Sequence, residues 1–216
     1  MPVFSCSAIL FDLDGVLVDS TLTVERQWRA WAQRKEVDAE EILAISHGRR
    51  TAEVIRIVAP HLDAEFEARE IEDREADDHE GVTAVAGAAK LIESMPDGRW
   101  GVVTSGPKYL QSARLKLCGL PVPKIFITAD DVVHGKPDPE PYLKGAAALG
   151  FPPAECLVIE DAPAGITAAR AAGMKVIGVA TTYTADRLEH ADAVVGKLEQ
   201  IQVVSNGAGK LAVKVR

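Results

Sequence analysis

The sequence predicts an α/β fold in which a mostly parallel β-sheet lies between helices on both faces. Short apolar runs rich in branched residues recur along the chain, and segments with helical periodicity separate them. The first run, residues 8–10, has the length and composition of a strand that is buried on both faces. Together these observations favour a parallel sheet covered by helices.

Five further apolar runs are expected to be strands, at residues 100–103, 125–127, 156–159, 176–179 and 193–195. Helical patterns separate them, at residues 108–118, 141–149 and 165–172. The last of these helices is built from small residues that allow close approach to a sheet, and Gly173 is its expected stop. The tail, residues 205–216, is interpreted as either a late edge strand or a disordered end.

Residues 20–84 do not follow this alternation. Val24, Trp28 and Trp31 have helical spacing, and residues 63–80 form an acidic stretch expected to be a solvated helix. We therefore expect a small helical cap domain, residues 19–84, inserted into a core formed by residues 1–18 and 85–216. The two tryptophans are expected to form the core of the insert rather than a platform for substrate.

Length and charge restrict the class of protein. A chain of 216 residues suits one medium domain, or a core with a smaller insert. The net charge of -8 argues against a nucleic-acid partner or an anionic membrane surface, both of which need basic residues. The N-terminus shows no basic region followed by a long apolar segment, and no apolar run is long enough to span a membrane, so we expect a soluble, cytoplasmic protein. We also expect a monomer or weak dimer. Its three cysteines, Cys6, Cys118 and Cys156, are expected to be reduced.

Two carboxylates, Asp12 and Asp14, follow the first strand immediately before Gly15. A buried strand cannot readily hold two charges, so both must emerge where the strand ends and the chain turns. Adjacent anions repel each other unless a proton or a divalent cation separates them. The pair therefore indicates a magnesium site, a nucleophile beside an acid/base, or both, although such pairs also occur in calcium loops and ordinary turns.

Polar residues also follow three later strands. Thr104, Ser105 and Gly106 are suited to hold a phosphate at a strand-to-helix turn, or else to cap the next helix. Lys136 lies in a turn stiffened by prolines, where it either offsets charge between a nucleophile and a phosphoryl group or is simply solvated.

The acidic pair Glu160 and Asp161 adds the hard oxygen ligands that magnesium prefers; alternatively, Asp161 caps the following helix. Each of these features is expected at the carboxyl end of a parallel strand, which is where open α/β sheets place their binding sites.

This ordered set of motifs resembles the haloacid dehalogenase-like hydrolase superfamily over nearly the whole chain. The resemblance implies a Rossmann-like core with a mobile cap. It implies Asp12 as the nucleophile, Asp14 as the general acid/base and Lys136 as the charge-neutralising lysine, with Thr104, Ser105 and Gly106 as the phosphate-binding turn. It also implies a Mg²⁺ site formed by Asp12, Asp14 through its backbone carbonyl, and Asp161, with Glu160 in support.

Residues 45–51, 135–143 and 160–165 resemble the branch of this superfamily that acts on glycerol phosphate and deoxysugar phosphates. That resemblance implies a Mg²⁺-dependent phosphatase for small sugar or polyol phosphate monoesters. It makes the cap residues His47, Gly48, Arg49 and Arg50 candidates for substrate binding, since arginine suits phosphate and polyol oxygens. The alternative for this segment is a solvated helix start at Thr51.

Other functions remain open at this point. Val16 replaces a threonine common among the phosphatases, and valine there also occurs in phosphoglucomutase-like members, so a phosphosugar mutase is the main alternative. A phospho-accepting signalling receiver domain is a remote alternative, since receivers are about half as long and lack the insert. No G-x-G-x-x-G follows the first strand, which argues against a dinucleotide-binding oxidoreductase.

Overall fold

Strands and helices alternate through most of the computed structural model, which describes residues 2–205 and 210–216. The strands, numbered along the chain, are β1 (Val3–Cys6), β2 (Ala8–Phe11), β3 (Val18–Asp19), β4 (Thr83–Ala84), β5 (Trp100–Val103), β6 (Phe126–Ile127), β7 (Cys156–Glu160), β8 (Lys175–Val179), β9 (Ala193–Val195), β10 (Ile201–Ser205) and β11 (Leu211–Val215). The α-helices are α1 (Thr21–Lys35), α2 (Ala39–Ser46), α3 (Thr51–Val58), α4 (Ala64–Asp77), α5 (Ala88–Glu93), α6 (Lys108–Leu117), α7 (Glu140–Leu149) and α8 (Pro163–Ala171).

The central sheet of the described residues has six strands in the order β6-β5-β2-β7-β8-β9, and every neighbouring pair is parallel. Each strand coincides with one of the six apolar runs of the sequence. Because β2 lies between β5 and β7, the carboxyl ends of these three strands meet at one edge of the sheet. The predicted fold class is confirmed.

Side chains of β2 point alternately to the two faces of the sheet. Ile9 and Phe11 pack in a hydrophobic cluster with residues of α5 and α6, whereas Ala8 and Leu10 pack in a second cluster with residues of α7 and α8. All four side chains are buried, which explains why the run is continuously apolar rather than alternating. The Rossmann-like core therefore has three layers, with the sheet in the middle and helices packed on each of its faces.

The C-terminal segment forms β11, the middle strand of a small antiparallel sheet with the order β1-β11-β10. Leu211, Val213 and Val215 are buried in the same cluster as Ile9 and Phe11. The segment is therefore a strand, and it is a central strand rather than the edge strand considered from the sequence, because it pairs on both sides. Residues 206–209 of this tail lie outside the described residues.

Helices α1–α4 have a hydrophobic cluster of their own. Trp31 at its centre is fully buried and meets Trp28 edge to face, with ring centroids 5.7 Å apart, and Ile42, Val54 and Ile71 surround them. The chain enters and leaves this helical unit through β3 and β4, which pair antiparallel. This ribbon lies close to the boundaries predicted for a cap at residues 19 and 84, and the division into cap and core stays a prediction.

The acidic helix α4 differs from the solvated helix expected there. Glu67 and Glu75 are both buried, on the same face as Ala64, Ala68 and Ile71. Glu67 accepts hydrogen bonds from Trp31 Nε1 at 2.8 Å and from Lys35 Nζ at 2.5 Å. A helix can therefore be acidic in composition and still bury two carboxylates where buried donors meet them.

The cysteines are free thiols, with Cys6 and Cys156 buried and Cys118 partly exposed. In the described part of the chain, no helix has both the length and the apolar character needed to cross a membrane.

We predict that Glu67→Ala lowers the free energy of unfolding by about 1–3 kcal/mol, because the buried indole N–H of Trp31 then loses its acceptor. Urea unfolding followed by circular dichroism measures the effect. Glu70→Ala on the same helix is the control, since Glu70 is half-exposed and 3.9 Å from Arg74, and it should change stability very little. Equal losses in the two variants would contradict a stabilising role for the buried carboxylate.

Candidate active site

Asp12, Thr104 and Asp161 each follow one of the three adjacent strands β2, β5 and β7, and so they lie at the same edge of the sheet. The backbone N–H of Asp12 donates to Ile159 O at 2.9 Å, which continues the strand pairing into the site. A cavity of about 80 Å³ opens here between the core and helices α1–α4. Its lining includes Asp12, Asp14, Ser46, His47, Gly48, Arg49, Thr104, Ser105, Gly106, Gln111 and Arg114.

Lys136 is the buried cation of the site, and none of its surface is exposed. Its Nζ donates to Asp12 Oδ1 at 2.5 Å, to Glu160 Oε1 at 2.8 Å and to the backbone oxygen of Val103 at 3.1 Å. Burial lowers the pKa of Lys136, but the carboxylates of Asp12 and Glu160 more than offset this and hold its pKa well above the ordinary value. The alternative of a solvated lysine is thereby excluded.

Both carboxylate oxygens of Glu160 already have partners. Oε1 accepts from Lys136 Nζ and from Tyr142 OH, at 3.1 Å for the latter, while Oε2 accepts from the backbone N–H groups of Asp161 and Ala162 at 2.8 Å each. A Cβ at Gly165 would lie 1.5 Å from Glu160 Oε1, so the carboxylate needs glycine at that position. These contacts favour a supporting role for Glu160 over direct metal ligation.

The carboxylates of Asp12, Glu160 and Asp161 bring oxygens within 4.8 Å of one another. Burial raises the pKa of Asp12 to about 7, with Lys136 opposing the shift and Glu160 adding to it. Burial, followed by the charges of Glu160 and Asp12, also raises the pKa of Asp161. Three carboxylates and one ammonium sum to a charge of about -2 when ionised. A divalent, oxygen-preferring cation such as Mg²⁺ would therefore fit beside Asp12 and Asp161, with Glu160 in support.

Gly15 makes the turn after Asp14 possible. Its φ is +83°, and a Cβ there would lie 2.0 Å from Asp161 Oδ2 and 2.5 Å from Thr182 Oγ1. A side chain at this position would therefore displace Asp161 as well as strain the backbone.

Asp14 is held by three residues that the sequence did not single out. Its carboxylate accepts from Ser20 Oγ at 2.6 Å, from Gln111 Nε2 at 2.7 Å and from Arg114 NH1 at 2.9 Å. Arg114 also donates to Glu75 Oε2 at 2.6 Å, so one buried guanidinium joins the site to helix α4. The only sequence signal was the spacing of Gln111 and Arg114, which puts both on one face of α6.

The phosphate-binding residues expected at 104–106 line the cavity. Ser105 Oγ donates to Gly48 O at 2.9 Å, which links the core to the loop after α2. Neither Thr104 nor Ser105 caps α6, whose N-cap is Pro107, and Asp161 does not cap α8, whose N-cap is Ala162. The capping alternatives for these two motifs therefore do not apply.

The four cap candidates have different positions. His47, Gly48 and Arg49 line the cavity, and the Arg49 guanidinium has no hydrogen bond or ion pair to any described residue. His47 meets Tyr183 edge to face at 6.0 Å, and burial lowers its pKa, so the imidazole is neutral near pH 7. Trp28 lines the cavity while also packing in the core of the helical unit.

Arg50 does not match the expected substrate contact. Its guanidinium pairs with Glu53 and donates to the backbone oxygens of Val132 and Val133, at 3.3 and 2.8 Å. Those carbonyls belong to the loop that leads to Lys136, so Arg50 ties α3 to the core. Arg50 is outside the lining of the cavity, because Glu53 and the two valine carbonyls hold its guanidinium.

Comparison with known proteins agrees with this geometry. Residues 6–173 match the haloacid dehalogenase-like hydrolase family. The chain is 42% identical over 214 residues to hexitol phosphatase A of Escherichia coli (strain K12), covering 97% of this chain and 99% of that protein. It is 39% identical to glycerol-1-phosphate phosphohydrolase 2 of Saccharomyces cerevisiae, covering 91% of this chain and 84% of that protein.

Among solved structures, a hydrolase from Pseudomonas syringae superposes with a TM-score of 0.81 and 28% identity, covering 89% of this chain and 94% of that chain. The family expected from the motifs is confirmed. The chain therefore belongs to the haloacid dehalogenase-like hydrolase family.

Proposed function

We propose that this protein is a Mg²⁺-dependent phosphatase that hydrolyses small sugar or polyol phosphate monoesters through an aspartyl phosphate. The observation that carries the proposal is the buried Lys136 ammonium, bonded to Asp12 and Glu160 beside a polar cavity. The names of the two relatives, a hexitol phosphatase and a glycerol-1-phosphate phosphohydrolase, support this class of substrate.

Asp12 is the proposed nucleophile. An anionic carboxylate and an anionic phosphate monoester repel each other, and Lys136 reduces that repulsion because its ammonium is 2.5 Å from Asp12 Oδ1. Asp12 attacks phosphorus in line with the leaving alcohol, and the P–O bond to that alcohol breaks as the aspartyl phosphate forms. Water then attacks the phosphorus, the P–O bond to Asp12 breaks, and inorganic phosphate leaves as the Asp12 carboxylate is restored.

Asp14 is the proposed general acid/base. It gives a proton to the departing alcohol oxygen and later takes one from the attacking water. Ser20, Gln111 and Arg114 all donate to its carboxylate and fix it at the cavity wall. In this form Asp14 can accept the proton of the attacking water, and it has to take up a proton before it can protonate the alcohol.

A bound Mg²⁺ would be held by the carboxylates of Asp12 and Asp161 and by the backbone carbonyl of Asp14, with Glu160 orienting the surrounding groups. When bound, the cation supplies positive charge that offsets the charge of the phosphoryl group. The Thr104 hydroxyl and the backbone N–H groups of Ser105 and Gly106 would hold the other phosphate oxygens, since the N–H of Thr104 already donates to Ile127 O at 2.9 Å.

Residues 19–84 are the proposed cap domain over this site. His47, Gly48 and Arg49 would meet the substrate from the cap, with the unpaired Arg49 guanidinium suited to phosphate or polyol oxygens. Contacts such as Ser105 with Gly48 hold the helical unit against the core and would keep bulk water out.

We predict that Asp12→Asn reduces phosphate release from any phosphate monoester by about 10³-fold or more, since the amide is a very weak nucleophile. The amide has nearly the volume of the carboxylate, so thermal unfolding followed by circular dichroism should show a folded protein. Asp97→Asn is the control, because Asp97 is 95% exposed on the surface, and it should keep full turnover. Retained turnover in Asp12→Asn would reject this nucleophile.

We also predict that Mg²⁺ raises the melting temperature more at pH 8 than at pH 5. The folded-state pKa of Asp12, about 7, is above its unfolded value of about 4. Between these values the folded state binds more protons, so the stability of the cation-free protein falls as pH rises. At a cation concentration of 100 Kd, binding adds about 2.7 kcal/mol.

Differential scanning fluorimetry with Mg²⁺ or with a chelator at the two pH values measures this difference. Asp161→Asn is the matched variant and should lose most of the stabilisation at pH 8. An equal effect of Mg²⁺ at both pH values would argue against cation binding at these carboxylates.

A phosphosugar mutase on the same core is the alternative. Val16, the residue that suggested this alternative, is fully buried. Purified protein given glucose 1-phosphate, Mg²⁺ and a trace of the bisphosphate separates the two: we expect free phosphate, and an isomerised sugar phosphate without phosphate release would favour the mutase.

A further inference from the structure

Three buried polar atoms lack a hydrogen-bond partner, and they are the full set of such side-chain atoms among residues 2–204 and 210–216. They are Ser46 Oγ, Gln111 Oε1 and Arg114 Nε. The three side chains are 6%, 1% and 5% exposed, and all three residues line the catalytic cavity. Buried polar groups are nearly always paired, so their concentration around one cavity indicates a polar ligand.

The other atoms of two of these side chains fix their orientation. Gln111 gives its Nε2 donor to Asp14, which leaves Oε1 as the free end of the amide. Arg114 uses NH1 on Asp14 and NH2 on Glu75, which leaves Nε. Both groups are therefore held in place before a ligand arrives, and little side-chain freedom is lost on binding.

The chemistry of the three atoms identifies the ligand group. Arg114 Nε can only donate, Gln111 Oε1 can only accept, and Ser46 Oγ can do both. A phosphate oxygen without a proton can pair with the guanidinium but offers nothing to Gln111 Oε1. A hydroxyl both donates and accepts, so hydroxyl groups satisfy all three.

The location identifies which part of the substrate carries these hydroxyls. Gln111 and Arg114 both contact Asp14, the proposed acid for the leaving oxygen, so their free atoms lie next to the leaving alcohol. Ser46, at the end of α2, reaches the same cavity from the helical unit. Leu110 and Trp28 contribute apolar surface to the wall of the cavity, and this surface suits the carbon chain of such an alcohol.

We propose that Ser46, Gln111 and Arg114 form a hydroxyl-recognition site for the leaving alcohol, which restricts the enzyme to phosphates of polyhydroxylated alcohols. This inference rests on the proposed phosphatase function. A site built around buried hydrogen-bonding groups rejects analogues that lack the matching hydroxyls, because the groups stay unpaired when the analogue binds.

The test compares glycerol 1-phosphate with propyl phosphate, which has the same carbon chain and phosphate but no hydroxyl. For the unmodified protein with Mg²⁺, kcat/KM for glycerol 1-phosphate should exceed that for propyl phosphate by at least about 100-fold. Ser46→Ala should reduce this preference by about tenfold. The melting temperature should not fall, because Ser46 Oγ makes no bond within the described protein.

Gln111→Met is the second variant. Because Gln111 also holds Asp14, we expect turnover to fall on both substrates, with a further loss of about tenfold confined to glycerol 1-phosphate. Ser94→Ala is the control: its hydroxyl donates to Leu91 O outside the cavity, and the preference should stay at the unmodified value.

An unchanged preference in both Ser46→Ala and Gln111→Met, or an equal loss on the two substrates, would overturn the recognition site while leaving the phosphatase function intact. Absence of phosphate release from glycerol 1-phosphate and from a hexitol phosphate in the unmodified protein would overturn the proposed function, and the recognition site with it.

Discussion

The burial of charge around Lys136 is the constraint on which the rest of the structure depends. An ammonium and the carboxylates of Asp12 and Glu160 lose nearly all contact with water, at a cost of several kcal/mol for each ion. Only close pairing and additional hydrogen bonds offset that cost. The parallel sheet supplies the pairing because β2, β5 and β7 end side by side, and the turn after β7 supplies two N–H donors to Glu160.

The helical unit completes this burial from the other side. Arg114 pairs with Glu75 across the boundary, Arg50 binds the loop before Lys136, and Ser105 binds Gly48. These contacts are polar, whereas each unit has an apolar core of its own. Separation of the two units would leave both apolar cores intact, and the buried Arg114–Glu75 pair would gain contact with water as it opened. Such an interface suits a part of the protein that must admit a substrate and release a product.

The sequence predicted the fold and the site best where a local pattern of residues determines both, as it does at the core strands and their carboxyl ends. All six core strands were predicted because doubly buried parallel strands are continuous apolar runs, and polar residues at their ends necessarily converge. Arg114 was not predicted, because its partners Asp14 and Glu75 are 100 and 39 residues away and only tertiary structure joins them. Likewise, no local pattern distinguishes Arg49, which lines the cavity, from Arg50, which turns to the core.

The glycines around the site limit how this enzyme can change. A Cβ at Gly15 or Gly165 would come within about 2 Å of the buried carboxylate of Asp161 or Glu160, and these carboxylates would have to move to make room for it. Substitution of either glycine would therefore disturb the carboxylates on which the chemistry depends. The wall formed by helices α1–α4 carries no such constraint, so exchange of a side chain there changes the shape of the cavity and leaves these carboxylates in place.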